Sequence, residues 1–266
     1  MIELSGTWDD WIRQSMNHTR LTHKNTGLLV SVRSVEEARI AVDSNCVSII
    51  DLKEPINGSL GCVSIQSARE VLDCLPSNTM SSIAIGEVVD WPIWATSGSE
   101  SRNEVLAQFD FVKIGLAGIA SRSDWVRRWQ DCLAELPGNV QRVAVAYADS
   151  DRAGSPSVQS IVESAVEVGC SLLLIDTFCK QHGGLLNLLS IEALTEIVSA
   201  ARTQGLKIVL AGSLDVASLE TLGAIEPNFF AVRGAVCGAA RTSTIEPHKI
   251  VELGAFVNDR IRSRNR

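Results

Sequence analysis

The fold of this chain is decided by one stretch, Asp51-Leu52-Lys53-Glu54-Pro55-Ile56-Asn57-Gly58-Ser59-Leu60-Gly61, which directly follows the mostly apolar residues 46–50. A short β-branched apolar run bounded by proline and glycine is typical of a buried strand. Because side chains alternate faces along a strand, Asp51 and Lys53 lie on one face and Leu52 on the other. The sequence therefore predicts a carboxylate and an amine side by side at the end of a buried strand.

The same pattern, an apolar strand followed by an amphipathic helix, recurs on both sides of this stretch. Strands are predicted at 28–32, 47–52, 82–85, 109–114, 142–146, 170–175, 207–210 and 229–232. Helices are predicted to open at Ser34, to cover 64–74, 103–108, 123–136, 157–168, 191–203 and 216–222, and to follow Cys237. Eight alternating units indicate a (β/α)8 barrel. A doubly wound open sheet is the alternative, which is less favoured because no G-x-G-x-x-G follows the first strand.

The domain organisation follows from this repeat. Residues 27–257 are predicted to form the barrel, residues 1–26 an N-terminal extension and residues 258–266 a basic C-terminal tail. Trp8 and Trp11 favour a short docked helix over a disordered arm, because two tryptophans are costly to leave in water. Residues 90–101, with Trp91 and Trp94, are predicted to form a loop.

The composition excludes several classes of function. A net charge of -7 and a pI of about 5.2 argue against a nucleic acid or an anionic membrane as the main partner. The seven cysteines include no C-x-x-C pair, which predicts a reducing, cytoplasmic location and no zinc site. There is no signal-peptide pattern and no apolar run of about 18 residues, so no membrane span is expected.

Chemically useful residues concentrate at the predicted strand ends, where a (β/α)8 barrel carries its active site. In chain order these ends hold Ser31, Arg33, Asp51, Lys53, Glu87, Lys113, Tyr147, Asp149, Asp176, Lys180, Gly212, Ser213, Arg233 and Gly234. Lysine is scarce, with 6 lysines against 18 arginines, yet three of the six fall in this set. A random surface distribution of lysines would not favour those positions.

Two of these lysines, Lys53 and Lys113, follow the second and fourth strands, which layering can bring together at the barrel mouth. A neighbouring cation lowers the pKa of a lysine and leaves a free amine. One lysine could then form a Schiff base with a carbonyl substrate while the other moves a proton, with Asp51 and Asp176 orienting them or relaying protons. The alternative is structural: these acids pair with the lysines and hold loops.

An anion site is predicted after the last two strands. Gly212 and Ser213 follow the seventh strand, and Arg233 and Gly234 follow the eighth, where barrels often bind phosphate through backbone amides. Ordinary turn chemistry is the alternative for the glycines. Further substrate contacts are predicted at Ser31, Tyr147 and Asp149, although a buried tyrosine can also serve only as packing with its hydroxyl satisfied.

The ordered strand-end motifs also carry a family resemblance. They are Leu29-Val30-Ser31-Val32, Ile50-Asp51-Leu52-Lys53-Glu54-Pro55 with Gly58-Ser59-Leu60-Gly61, Val112-Lys113-Ile114-Gly115-Leu116, Ala146-Tyr147-Ala148-Asp149, Asp176-Thr177 with Lys180, Leu210-Ala211-Gly212-Ser213 and Val232-Arg233-Gly234-Ala235. Together they resemble the (5-formylfuran-3-yl)methyl phosphate synthases of methanofuran biosynthesis, from residue 27 to about residue 240. Residues 1–26 and the segment after Cys237, where the family pattern predicts a glycine-rich acidic stretch, depart from it.

The resemblance implies a lysine-dependent (β/α)8 barrel similar to class I aldolases. It implies condensation of two molecules of glyceraldehyde 3-phosphate into a phosphorylated furan aldehyde, with loss of water and one phosphate, in one-carbon metabolism. By resemblance, Lys53 matches the Schiff-base lysine and Lys113 the proton acceptor. Asp51, Asp176 and Lys180 match further active-site positions, and no metal or organic cofactor is implied.

These expectations leave two other functions open. One is a class I aldolase that acts on another phosphorylated aldehyde, and the other is a non-catalytic barrel that binds a metabolite. The partners expected are a phosphorylated triose and further copies of the chain in a homo-oligomer, with no nucleic acid and no membrane.

Overall fold

A computed structural model describes residues 26–91 and 99–264 of the chain. Eight parallel strands pair in sequence order, and the last strand pairs with the first, so the sheet closes into a barrel. The strands are β1 (Gly27–Val32), β2 (Ile49–Leu52), β3 (Met80–Glu87), β4 (Phe111–Gly115), β5 (Gln141–Tyr147), β6 (Cys170–Asp176), β7 (Lys207–Leu210) and β8 (Phe229–Val232). The predicted (β/α)8 barrel is confirmed, and closure between β8 and β1 excludes the open sheet.

Helices follow the strands and form the outer layer. The principal helices are α1 (Val35–Asp43), α2 (Ile65–Cys74), α3 (Ser99–Leu106), α4 (Trp125–Ala134), α5 (Val158–Ala165), α6 (Ile191–Thr203), α7 (Val216–Leu222) and α8 (Pro247–Arg264). Short helical turns at Ser150–Ala153 and Leu185–Leu188 were not predicted. None of the helices within the described ranges has both the length and the apolarity needed to cross a membrane.

Four helices begin with the same kind of N-cap. A serine side chain just before the helix accepts a hydrogen bond from the backbone amide three residues later, at 3.0–3.3 Å. The capping serines are Ser34, Ser64, Ser157 and Ser190. Each satisfies an amide that the helix itself leaves unpaired, which stabilises a helix by about 1 kcal/mol.

Two apolar cores lie on the two faces of the sheet. Outside the barrel, strand residues pack against the helices, with Trp129 of α4 fully buried. Inside, apolar side chains such as Phe111, Val145 and Leu172 fill the barrel. Leu174 belongs to this interior core and also lines the cavity above it. The filled interior therefore lies directly beneath the cavity at the strand ends.

Several predicted segments differ in the structure or lie outside it. Residues 99–101, predicted as the end of a loop, belong to helix α3. The last helix, predicted to follow Cys237, begins only at Pro247. Residues 237–246 form a loop, in which Cys237 and Ile245 pair in an antiparallel bridge. Helix α8 continues through 258–264, within the predicted tail. The predicted N-terminal helix with Trp8 and Trp11, and residues 92–98 of the predicted loop, lie outside the described residues.

Candidate active site

A cavity of about 200 Å³ opens at the C-terminal ends of the strands. Twelve of the strand-end residues were predicted to have a catalytic or binding role. Ten of these line the cavity: Ser31, Asp51, Lys53, Lys113, Asp176, Lys180, Gly212, Ser213, Arg233 and Gly234. The other two, Tyr147 and Asp149, do not. The structure thus brings together residues from β1, β2, β4, β6, β7 and β8 that are far apart in the chain.

Asp51 is the centre of one buried hydrogen-bond network. Its Oδ2 accepts from the Ser31 hydroxyl at 2.8 Å, and its Oδ1 accepts from the Ser82 hydroxyl at 2.6 Å. Lys113 Nζ also donates to Oδ1 and forms a salt bridge with it. Burial by itself would raise the pKa of Asp51, but the charge of Lys113, with Lys53 and the hydrogen bonds, holds that pKa below its usual value. Asp51 is therefore a fully partnered carboxylate.

Asp176 forms a second pair with Lys180. Its Oδ1 accepts from Lys180 Nζ at 2.5 Å and from the backbone amide of Thr177 at 2.7 Å. Its Oδ2 accepts from the Ser59 hydroxyl at 3.4 Å. Burial would raise the pKa of Asp176, yet the charges of Lys180 and Lys53 and these hydrogen bonds lower it overall. The Lys180 ammonium also donates to the carbonyl and the hydroxyl of Thr177, so its donors are committed.

Lys53 differs from the other two cavity lysines. It is only 8 % exposed, and its Nζ donates one long hydrogen bond of 3.4 Å, to the Ser59 carbonyl. Among residues 26–91 and 99–264, no carboxylate oxygen lies within 4.0 Å of this nitrogen. The predicted structural alternative, in which each acid pairs with a lysine, describes Lys113 and Lys180 but not Lys53.

The surroundings of Lys53 favour its neutral amine. Burial lowers the pKa of Lys53 from 10.5 to about 8. The carboxylates of Asp176 and Asp51 oppose this shift, while the ammonium groups of Lys180 and Lys113 add to it. At pH 7 such a pKa leaves about a tenth of the amine neutral, against well under a thousandth at the ordinary value. The sequence could not tell which lysine has the lowered pKa, because this depends on burial.

The loops after β7 and β8 present unpaired backbone amides to the cavity. Gly212 has φ +98°, and a Cβ there would lie 2.9 Å from Thr177 Cγ2, so only glycine fits without strain. Ser213 is also left-handed, at φ 53°. Within the described part of the chain, the amides of Gly212, Ser213, Gly234 and Ala235 donate no hydrogen bond to the protein. These four amides are able to bind an anion.

The side chain of Arg233, which was predicted to bind phosphate, is engaged within the protein. The guanidinium forms a buried two-pronged salt bridge with Glu37, at 2.9 and 3.2 Å. Its remaining donors bind the carbonyls of Ser31, Arg241 and Ser243 at 2.8, 2.6 and 3.3 Å. Because every donor is used within the protein, Arg233 holds the loop after β8 in place.

Tyr147 and Asp149, the other two predicted residues, do not line the cavity. The Tyr147 hydroxyl donates to Glu87 Oε1 at 2.6 Å, and the tyrosine is fully buried. Burial raises its pKa well above the usual value, and the charge of Glu87 raises it further. Both carboxylate oxygens of Asp149 accept backbone amides, of Phe178 at 2.6 Å and of Cys179 at 2.8 Å. The two residues fix loops, which is the packing alternative considered for the tyrosine.

Several residues with a role at the site were missed in the sequence. They are Glu37, Ser59, Ser82, Asp215 and Arg241, which bind site residues or line the cavity. Of these, only Ser59 could have been found from the sequence, because it lies in the stretch that directly follows β2. In the residues described, no group of three or more His, Cys, Asp or Glu side chains is arranged to hold a metal ion.

Solved structures that are similar in shape confirm the barrel. Phosphoribosyl anthranilate isomerase from Thermotoga maritima matches with a TM-score of 0.60 at 12% identity, over 88% of this chain and 99% of that one. KGPDC from Streptococcus mutans matches with a TM-score of 0.58 at 13% identity, over 90% of this chain and 98% of that one. At these identities the likeness establishes the fold alone.

Sequence comparison establishes the family. The (5-formylfuran-3-yl)methyl phosphate synthase of Methanopyrus kandleri is 32% identical over 234 residues, covering 85% of this chain and 96% of that protein. The protein of the same name from Methanocaldococcus jannaschii is 30% identical over 231 residues, covering 85% and 97%. The family model described as 4-HFC-P synthase matches residues 28–254. With most of the barrel matched, this chain is an enzyme of the 4-HFC-P synthase family.

Proposed function

We propose that this enzyme condenses two molecules of glyceraldehyde 3-phosphate into (5-formylfuran-3-yl)methyl phosphate through a Schiff base on Lys53. One phosphate and two water molecules leave, which balances two trioses against one furan aldehyde phosphate. The observation that carries the proposal is Lys53 itself, a buried amine without an ion-pair partner among the described residues and with a pKa of about 8. The names of the relatives support the choice of product.

The two ion pairs flank this amine in a way that suits imine chemistry. Attack of the Lys53 amine on an aldehyde forms a carbon–nitrogen bond, and water leaves after proton transfer to the carbonyl oxygen. The Lys113 ammonium, held by Asp51 at the cavity, can supply that proton, and the neutral amine that remains can accept one in a later step. The Lys180 ammonium and Asp176 form the second such pair. The positive charge of the imine then acidifies the C–H bond of the neighbouring carbon. Once a base has taken that proton, the resulting enamine carbon attacks the carbonyl carbon of the second aldehyde, whose oxygen takes up a proton.

The phosphate group of a triose has matching donors in the same cavity. The amides of Gly212, Ser213, Gly234 and Ala235 are unpaired among the described residues, and backbone amides at such loops bind phosphate in many barrels. We place this activity in the cytoplasm, as the supply of the furan ring for a methanofuran-type cofactor.

The proposal is tested by trapping the imine. The protein is incubated with glyceraldehyde 3-phosphate, reduced with borohydride and mapped by peptide mass spectrometry. We expect an adduct on Lys53 and on neither Lys113 nor Lys180, together with the furan aldehyde phosphate in the unreduced reaction. An adduct on Lys53 without the furan product would instead indicate an aldolase of another substrate. No adduct on any lysine would refute the imine mechanism.

The pH dependence of imine formation follows from the pKa of Lys53. Only the neutral amine attacks, so below pH 8 the initial rate of trapping should rise about tenfold per pH unit. Above pH 9 the rate should level off, because almost all of the amine is then neutral. Initial rates measured from pH 6 to 10 check this. A rate that keeps rising tenfold per unit beyond pH 9 would show an unshifted lysine and contradict the prediction.

A further inference from the structure

Arg241 is the least partnered arginine of the cavity. Its side chain lines the cavity and is half-buried. In the part of the chain that the structure describes, its guanidinium makes neither a hydrogen bond nor a salt bridge. The five donors of a guanidinium form a planar fork that matches the oxygens of a phosphate, and they carry a permanent charge. A half-buried guanidinium without a partner is costly unless something occupies its donors.

The loop that carries Arg241 is held by its backbone, so the side chain is left available. Arg233 binds the Arg241 carbonyl at 2.6 Å and the Ser243 carbonyl at 3.3 Å. Arg33 Nη1 binds the Thr242 carbonyl at 2.5 Å. These contacts fix residues 241–243 at the cavity mouth without using the Arg241 guanidinium. The position of this group is therefore built into the fold.

Among the described residues, the salt bridges of the cavity do not include Arg241, and the Asp176 carboxylate attracts it only at longer range. Lys113 pairs with Asp51, Lys180 with Asp176, and Arg233 with Glu37. These pairs account for all the charged cavity side chains except Lys53, Arg241 and Asp215.

Asp215 is occupied at the start of α7, where its Oδ1 accepts from the amide and the hydroxyl of Ser218 at 2.8 and 2.6 Å. Two cations thus remain against one carboxylate, which is held at the start of α7. The cavity therefore carries an excess of positive charge that favours an anionic ligand.

We propose that Arg241 binds the phosphate group of the substrate in this cavity. The inference rests on the proposed function in taking that phosphate to belong to a triose phosphate. Arg241 supplies a charged side-chain donor beside the neutral amides of the β7 and β8 loops. It also gives a role to the segment after Cys237, where this chain departs from the family pattern.

The first test measures phosphate binding without turnover. Inorganic phosphate is titrated by calorimetry into the full-length protein and into its Arg241→Gln, Arg241→Lys and Arg127→Gln variants. Loss of hydrogen bonds to a charged group should weaken binding by roughly 10- to 100-fold in Arg241→Gln and less in Arg241→Lys. Arg127→Gln makes the same charge change on the exposed face of α4, where the arginine is 83% exposed, and should bind phosphate normally.

The second test uses imine trapping with two aldehydes. Arg241→Gln should slow trapping of glyceraldehyde 3-phosphate, through a raised KM, and leave trapping of unphosphorylated glyceraldehyde unchanged. Its unfolding midpoint should equal or exceed that of the parent protein, because the side chain makes no hydrogen bond within the described residues and its burial disfavours the charge. Equal slowing with both aldehydes would show a merely structural role and overturn the proposal.

The outcomes separate this inference from the proposed function. Phosphate binding that is unchanged in Arg241→Gln, or absent in the parent protein, overturns the role of Arg241 whatever product is formed. Phosphate binding that depends on Arg241 in a protein that makes no furan product supports this role while refuting the synthase reaction.

Discussion

Replacing Lys53 with arginine is expected to lower formation of the furan aldehyde phosphate by on the order of 10⁴-fold or more. Arginine keeps the positive charge but has no amine that can form an imine, and it stays protonated at any usable pH. The measurement is product formation from glyceraldehyde 3-phosphate with the parent protein and the variant side by side. Borohydride should trap no adduct on the variant.

The matched control is Lys207→Arg, which makes the same chemical change at the first residue of β7, the end of that strand remote from the cavity. It should retain normal turnover. Lys53→Met tests the fold separately: because burial disfavours the Lys53 ammonium, its removal should leave the free energy of unfolding at neutral pH equal or higher. Turnover by Lys53→Arg at the parent rate would contradict the assignment of Lys53 as the nucleophile.

Asp51→Asn is expected to lower the free energy of unfolding by about 3–5 kcal/mol at pH 7. The change leaves the Lys113 ammonium, 4 % exposed, without a counter-charge in a buried site. It also replaces a carboxylate that accepts from Ser31, Ser82 and Lys113 by an amide with a single acceptor oxygen. Denaturant unfolding of both proteins measures the difference. Turnover should fall as well, since Lys113 loses the group that positions it.

The pH dependence of this stability difference has a definite sign. The pKa of Asp51 is lowered in the folded protein, so its stabilising effect is complete above the ordinary value of 3.8 and is lost as the pH falls toward the folded pKa. The gap between parent and variant should therefore narrow below pH 4.

Two further variants give the controls for Asp51. Asp124→Asn removes a carboxylate from an exposed pair with Arg128, and should lower the free energy of unfolding far less than Asp51→Asn does. In Asp51→Asn combined with Lys113→Met, the uncompensated ammonium is gone, so the double variant should be more stable than the Asp51→Asn single variant. A double variant that is as unstable as the sum of its parts would show that the two residues do not act as a pair.

Much of the fold could be predicted because strands and helices are governed by local patterns. The limits of β7, β8, α6 and α7 agree with the prediction, since turn residues and capping groups flank them directly. The late start of α8 could not be predicted in the same way. Its loop is held by carbonyl contacts to Arg33 and Arg233, and such contacts leave no periodic pattern.

The candidate site could be predicted in position but not in the assignment of its partners. Strand ends converge in a barrel, so the lysines and aspartates were expected at one mouth. Which donor meets which acceptor depends on side-chain geometry. Arg233 was predicted to bind phosphate, yet its guanidinium forms a salt bridge with Glu37, 196 positions earlier in the chain. Arg241 was overlooked because nothing in its neighbours marks it as a cavity residue.

The salt bridge between Glu37 and Arg233 determines when the cavity can form during synthesis of the chain. Glu37 belongs to the first β/α unit and Arg233 to the last, so the pair spans the seam at which β8 meets β1. The loop with Arg241 depends on this contact for its position. A chain emerging from the ribosome therefore cannot assemble this wall of the cavity until its last strand has been released. Fragments that end before β8 should fail to bind phosphate, so incomplete chains would be unable to sequester the substrate.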